Sequence, residues 1–430
     1  MAKCRSAGGD AGRAVKANGR PVRSLGDLCV IRPPKAETRT RLGVDAQVSF
    51  LPMEDLGIDQ KFPKPIQSRR LDEVEGSYTY FADGDLLLAK ITPCFQNGKL
   101  GIAKGLINGV GFGSSEFIVL RPSAELDREY LYYFLSRDEF RQEGVARMGG
   151  SVGQQRVPPN YVLSERIPVP PLAEQRRIVG VLDQAFAGIA TAKANAEKNL
   201  RNARELFDSL VNGVVAPRAT WKTLSAEQVS THIVDCPHST PKWSEAGLVC
   251  LRTTNFHANG LQLEAVRYVS EKTYGERIAR LEPREGDVLY SREGGILGIA
   301  CLFPQGLKAC LGQRMMQFRL NDSIVLPGYF SAVLNSAPIL KLVRKLTGGA
   351  AAPHLNIRDI RQFPIPVPPI AEQSEIVRCL SAYATESQHL ESLYQQKLAA
   401  LAALKKSLLH QALSGHLKGR TGPIWERIRA

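Results

Sequence analysis

The chain has 430 residues, 43% hydrophobic, 23% charged and 7% aromatic, a globular composition with room for two or three domains that excludes disordered, collagenous and fibrous chains. Lysine and arginine number 56 against 42 aspartates and glutamates, and the net charge of +14 favours a polyanionic partner such as nucleic acid. No apolar stretch approaches the roughly 18 to 20 residues of a membrane span, so no membrane partner is expected, and eight cysteines without a Cys-X-X-Cys pair point to free thiols in a reducing cytoplasm.

Residues 1–20 mix lysine, arginine, alanine and glycine without an apolar core, which predicts a basic disordered extension rather than a secretory signal. The charge is uneven, at +5 over residues 1–23, −1 over 24–171 and +6 over 217–369. Residues 21–170 hold short apolar runs such as Phe117-Ile118-Val119-Leu120 between Gly, Pro, Asn and Asp, with a candidate helix over 127–140. They predict an α+β domain.

Over 171–216 the run Pro171-Leu172-Ala173-Glu174-Gln175 opens a long helix, since proline is tolerated at a helix start and Glu174 meets the positive end of the dipole. Val179, Leu182, Phe186, Ile189, Lys193, Ala196, Leu200, Ala203, Phe207, Leu210 and Val214 recur by threes and fours, the spacing of a coiled coil. Gly213 is placed to end that helix in a left-handed cap. Residues 217–368 read as a second α+β domain, with Met316-Gln317-Phe318-Arg319-Leu320 as a strand and a helix over 327–346. Residues 369–418 repeat the helix, with Ile376, Leu380, Tyr383, Ser387, Leu390, Tyr394, Lys397, Leu401, Leu404 and Leu408 in its seam and Gly415 at its end. A tail covers 419–430.

The chain is therefore built twice. Ile167-Pro168-Val169-Pro170-Pro171-Leu172-Ala173-Glu174-Gln175 returns 198 residues later as Ile365-Pro366-Val367-Pro368-Pro369-Ile370-Ala371-Glu372-Gln373. Asp83-Gly84-Asp85-Leu86-Leu87 returns as Glu285-Gly286-Asp287-Val288-Leu289, and Met148-Gly149-Gly150-Ser151 as Thr347-Gly348-Gly349-Ala350. The expected fold is α+β: two similar α/β domains separated by two long antiparallel coiled-coil helices, with Leu200 and Leu401 buried in the seam and a pseudo-twofold internal repeat.

Catalytic chemistry finds no support in the sequence. Pro158-Pro159-Asn160-Tyr161 holds the letters of an adenine methyltransferase motif in the wrong order, and no Gly-rich phosphate loop is present. His232, Asp235, Cys236 and His238 lack a second ligand pair, so no metal is expected. What remains is a set of polar loops whose groups suit base edges and phosphates. The candidates in the first half are Lys90, Gln96, Asn97, Lys99, Ser151, Gln154 and Arg156. In the second half Arg252, Asn255, Arg292 and Arg314 are candidate base readers, with His238, Thr240 and Lys242 on the DNA backbone and His354 and Asn356 beside them.

The duplicated Pro-Pro-(Leu/Ile)-Ala-Glu-Gln helix starts, the Gly-Asp-(Leu/Val)-Leu strands, the loop 235–241 and the helix ends Leu210-Val211-Asn212-Gly213 and Leu413-Ser414-Gly415-His416-Leu417 resemble the specificity subunit of type I restriction-modification systems. The resemblance implies two target recognition domains, each reading half of a bipartite double-stranded DNA sequence, with the helices as a ruler between them. It also implies two methylation subunits as partners and two restriction subunits through them. S-adenosylmethionine, ATP and Mg would be bound by those partners and no cofactor by this chain, which would be a non-catalytic reader. The alternative is a cytoplasmic coiled-coil scaffold whose paired domains bind proteins.

Overall fold

Each Ala-Glu-Gln run forms the first turn of a long helix, Leu172–Val214 and Ile370–Leu413, in the computed structural model, which describes residues 16–17, 20–63, 67–258, 260–348 and 353–416. The glutamine explains why the motif occurs twice. Gln175 is fully buried. Its Oε1 accepts the Asp127 N–H at 2.8 Å, and its Nε2 donates to the carbonyls of Glu125 at 2.9 Å and Pro170 at 2.8 Å. Gln373, equally buried, accepts from Leu326 N–H at 2.8 Å and donates to Ile324 at 3.0 Å and Pro368 at 2.8 Å. Each amide thus ties the helix start to the loop leading into a shorter helix.

Gln373→Ala would leave one buried N–H and two carbonyls without partners, at about 1–3 kcal/mol for each unsatisfied group. The expected result is a urea unfolding transition of the second unit weakened by roughly 3 kcal/mol or more. A midpoint equal to that of the wild type would remove the latch from the account.

The chain divides into two compact units, Met1–Asn195 with Leu398–Ala430 (unit 1) and Ala196–Lys397 (unit 2), so the division falls within both long helices. In unit 1 one sheet has the strand order Cys29–Ile31, Phe117–Pro122, Leu86–Ala89, Leu100–Ile102. In unit 2 the order Ser230–Asp235, Met315–Leu320, Val288–Ser291, Ala300–Leu302 repeats it. A second sheet in each unit contains one parallel pair, Gln47–Leu51 with Val110–Gly113 and Leu248–Leu251 with Ala309–Leu311.

The central strands Leu86–Ala89 and Val288–Ser291 are buried along their whole length because both of their faces are covered. Leu86 and Leu88 join the core that includes the long helices, while Leu87 and Ala89 join a core shared with the second sheet. In unit 2 Val288 and Tyr290 divide from Leu289 in the same way. The Gly-Asp before each strand is a turn with a buried anchor. Gly84 and Gly286 have φ of +93° and +82°, where a side chain would be strained. Asp85 then grips Arg121 at 2.7 and 2.8 Å, and Asp287 grips Arg319 at 2.9 and 2.8 Å.

Within unit 1, Ile178, Leu182 and Ala185 of the first long helix share a core with Leu408, Leu409 and Leu413 of the second. Within unit 2 the helices run antiparallel, since Asn199 meets Tyr394, Arg204 meets Glu391 at 2.9 Å, and Val211 shares a core with Ile376 and Leu380. The seam is looser than a full heptad stripe implies. Leu200 and Leu401 are half-buried, Tyr383 and Leu404 are exposed, and Ser387 is buried.

Several sequence expectations are corrected. The helix continues through Gly213 to Val214 without a left-handed residue, whereas Gly415 adopts φ +84° as expected. Residues 127–140 form two helices, Arg128–Leu135 and Asp138–Ala146. Residues 327–346 divide into Pro327–Leu334 and Ala337–Thr347, because Pro338 has no N–H and its ring opposes the carbonyl four residues back. Lys16–Ala17 pair with Arg20–Ser24 as strands, so residues 16, 17 and 20 do not belong to a disordered extension. The rest of that extension, the Gly349-Ala350 part of the second glycine motif, Leu417 and the tail at 419–430 lie outside the described residues. Among the described residues no helix is long and apolar enough to cross a membrane.

Candidate nucleic-acid interface

In unit 2 the central strand ends at Ser291, and Arg292 follows it into a polar cluster. The Arg292 guanidinium is buried and fully engaged. Nε and Nη2 donate to the two oxygens of Asp235 at 3.0 and 3.1 Å, Nη1 donates to Leu355 O at 3.1 Å, and Nη2 also lies 2.8 Å from Glu293. His238, 65% exposed, sets its Nε2 2.9 Å from Asp235. Gln313 holds the same loop from outside, donating to His238 O at 2.6 Å and to Thr240 Oγ1 at 3.1 Å.

Two arginines support the loop from behind. Arg277 donates to the carbonyls of Pro237 and Ser239, and Arg280 to that of Asp235. Arg314 is exposed at φ +69°, and its carbonyl accepts the Arg292 N–H at 3.0 Å. His354 pairs by its backbone with Glu293. The structure therefore brings His238, Thr240, Arg292, Arg314 and His354 together, with Lys242 exposed two residues beyond Thr240.

Two of the expected base readers are corrected. Arg292 has no donor pointing outward and serves as the post on which Asp235 and His238 are hung. Asn255 is 2% exposed and uses both ends of its amide on the backbone, accepting from Arg252 N–H and donating to Gln262 O. Arg252 is half-buried with one Nη on Ala265 O, and exposed Asn356 lies beside Asp359 at the start of a short helix.

Unit 1 builds its cluster at the same strand end with different charges. Lys90 donates to Ser115 O at 2.9 Å and stands 3.6 Å from Glu116, which Arg156 grips with two bonds at 2.9 and 3.0 Å. The Arg156 hydrogen bond, with Lys90 nearby, holds the Glu116 carboxyl below its usual range. Backbone bridges from Arg156 to Ile91 and Gly149 bring the 149–156 loop to Lys90, and Ser151 and Gln154 are exposed on that loop. Gln96 and Asn97 are exposed in the turn after Lys90. Lys99 instead donates to the carbonyls of Met53 and Glu54, which corrects its expected place at the interface.

Sequence reasoning missed Glu116, Gln313, Arg277 and Arg280. Glu116 and Gln313 could have been found from their place just before duplicated strands. Arg277 carried no local signal, since its partners lie 38 and 40 residues away.

The chain matches the family described as type I restriction modification DNA specificity domain over residues 22–200 and 258–398. Among curated relatives, the specificity subunit of the EcoEI type I restriction enzyme of Escherichia coli is 25% identical over 495 residues, spanning 91% of this chain and 82% of the relative. The EcoAI specificity subunit, also from Escherichia coli, is 39% identical over 136 residues, or 31% of this chain and 23% of its own. Two solved structures share the fold. One is a chain from a study of assembly and conformational transition in the type I R-M system (19% identity, TM-score 0.73, 92% of this chain and 98% of that one). The other is the HsdS subunit from Thermoanaerobacter tengcongensis (20% identity, TM-score 0.59, 93% and 97%).

Proposed function

Because the chain belongs to the type I restriction modification DNA specificity domain family, we propose that it reads a bipartite double-stranded DNA target, one half-site by each unit, and directs N6-adenine methylation and restriction there. It is a specificity subunit, the non-catalytic recognition component of such a system. Specificity subunits assemble with methylase and restriction subunits and bind DNA. The assembly proposed for this chain has two methylation subunits and, through them, two restriction subunits. Those partners would bind S-adenosylmethionine, ATP and Mg, and the complex would act in the cytoplasm.

The observation that carries the two-half reading is the repetition of one sheet topology, with a polar loop cluster at the end of the same central strand in both units. The clusters differ in their exposed side chains, Ser151 and Gln154 in one and His238, Thr240 and Arg314 in the other, as two different half-sites require. A protein-binding scaffold is not favoured.

Mapping methylated adenines genome-wide with and without the gene tests the proposal. A two-part motif should vanish on deletion, and exchange of residues 217–368 for a relative's domain should change one part of it only. An unaltered methylome would overturn it. Within unit 2, Arg314 is the exposed guanidinium of the cluster, and a bidentate arginine contact to guanine gives about 1–3 kcal/mol of discrimination. Arg314→Ala should therefore relax one base position by roughly 10- to 100-fold in competition binding while the melting curve stays unchanged. Equal weakening on all sequences would make Arg314 a phosphate contact instead.

A further inference from the structure

The two units differ sharply at one place where their sequences correspond. In unit 1 the link after the strand Gln47–Leu51 runs onto the helices. There Lys61 pairs with Glu129 at 2.8 Å and with Asp183, and its ammonium lies 4.6 Å from the centroid of the Tyr133 ring. Phe62 packs on the same core, and Asp59 pairs with Lys405 at 2.8 Å. The link is a plug made of a cation beside an aromatic ring.

In unit 2 the corresponding link folds instead into a hairpin, Phe256–His257 with Gly260–Leu261, against the strand Ala300–Leu302. Glu129, Tyr132 and Tyr133 correspond in their helix to Gly328, Ser331 and Ala332. Asp183 and Phe186 correspond through the 198-residue offset to Ser381 and Ala384. All five small residues line a cavity of about 780 Å³ that lies wholly within unit 2. Loss of one plug and of five large side chains coincide at a single place.

Among the described residues, the charged lining of the cavity is Asp208, Glu285 and Arg344. Asp208 is exposed on the wall, where partial desolvation and the nearby Glu205 raise its carboxyl above its ordinary range, and no cation among the described residues pairs with it. Leu302 is an exposed part of the wall, and Leu206 (66% exposed) and Tyr383 (51% exposed) are the sequence neighbours of lining Phe207 and Ala384. Exposed apolar side chains on and next to the lining suit a polypeptide partner better than a small molecule.

We propose that the cavity of unit 2 receives a segment of the methylation subunit that supplies in trans what residues 59–62 supply in cis in unit 1. That segment places an aromatic side chain over Ala332 and Ala384, with a neighbouring lysine or arginine on Asp208. The proposal rests on the functional reading above and adds the place and chemistry of one contact.

The test reconstitutes the full chain with its purified methylation subunit. Ala332→Tyr and Ser381→Asp give unit 2 the residues that unit 1 carries, and Asp208→Lys reverses the charge without filling the space. A photo-crosslinking phenylalanine in place of the exposed Tyr383, next to lining Ala384 but not itself a lining residue, reports the occupant by mass spectrometry without filling the cavity. The expected result is a crosslink to a methylation-subunit peptide with lysine or arginine next to an aromatic residue, together with binding weakened on the order of tenfold or more by Ala332→Tyr. Asp208→Lys, at an exposed wall position, should weaken it in the same direction and keeps the test decisive should the tyrosine variant fail to fold. Wild-type binding by the variants, or crosslinks made only elsewhere, overturns the cavity assignment alone. A wild-type chain that binds no methylation subunit overturns the functional reading and this inference with it.

Discussion

Arg292→Ala should cost unit 2 about 3–5 kcal/mol and abolish recognition of one half-site, because it strands a buried carboxylate rather than deleting a surface contact. The Asp235 side chain is 8% exposed and that of Arg292 6%, so neither charge can turn to water when its partner is removed. Removing the guanidinium also frees Leu355 O and the loop carrying His238, so reading geometry should be lost together with stability. Arg292→Lys should recover only part of both, since an ammonium cannot make the paired bonds to Asp235. Changing Arg292 and Asp235 together to leucine should recover much of the stability but not the recognition, because paired apolar groups avoid the unpaired charge. Urea titration and half-site competition binding check each arm. Arg292→Ala with wild-type stability and uniform weakening on all DNA would show a phosphate contact instead of an internal post.

That distinction separates what the sequence could show from what it could not. The duplicated helix starts were legible because proline, glutamate and glutamine act within a few residues of one another. The central strands were legible because a short apolar run between turn residues has few alternatives. The fate of Arg292 was hidden because its partner Asp235 lies 57 residues away and the arginine's loop setting looked solvent-facing. Asn255 was misread for a related reason: an amide in a polar loop suits a base edge as well as a backbone cap, and only burial decides between them. The break at Pro338 was visible in the sequence, yet the apolar pattern runs through it and masked two helices as one.

Inserting four residues in both long helices at the division between the units, after Asn195 and after Lys397, should lengthen the preferred spacer by one or two base pairs and leave both half-site sequences intact. Four residues add about 6 Å to an α-helix, close to one turn, so apolar positions beyond the insertion return nearly to their original face. B-DNA advances ~3.4 Å per base pair along a strand, which makes that displacement worth roughly two base pairs. Inserting in both helices matters, because the pairs Asn199 with Tyr394 and Arg204 with Glu391 lie on one side of the division and the Ile178 to Leu413 core on the other. A single insertion would shift one helix past its neighbour and confuse loss of packing with a change of spacing. Each unit keeps its reading cluster and its portion of both helices, so the bases recognised should not change. Methylome mapping of the insertion variant decides the matter: an unchanged spacer at full activity removes the helices as the ruler, and an altered half-site means that they also shape the reading loops.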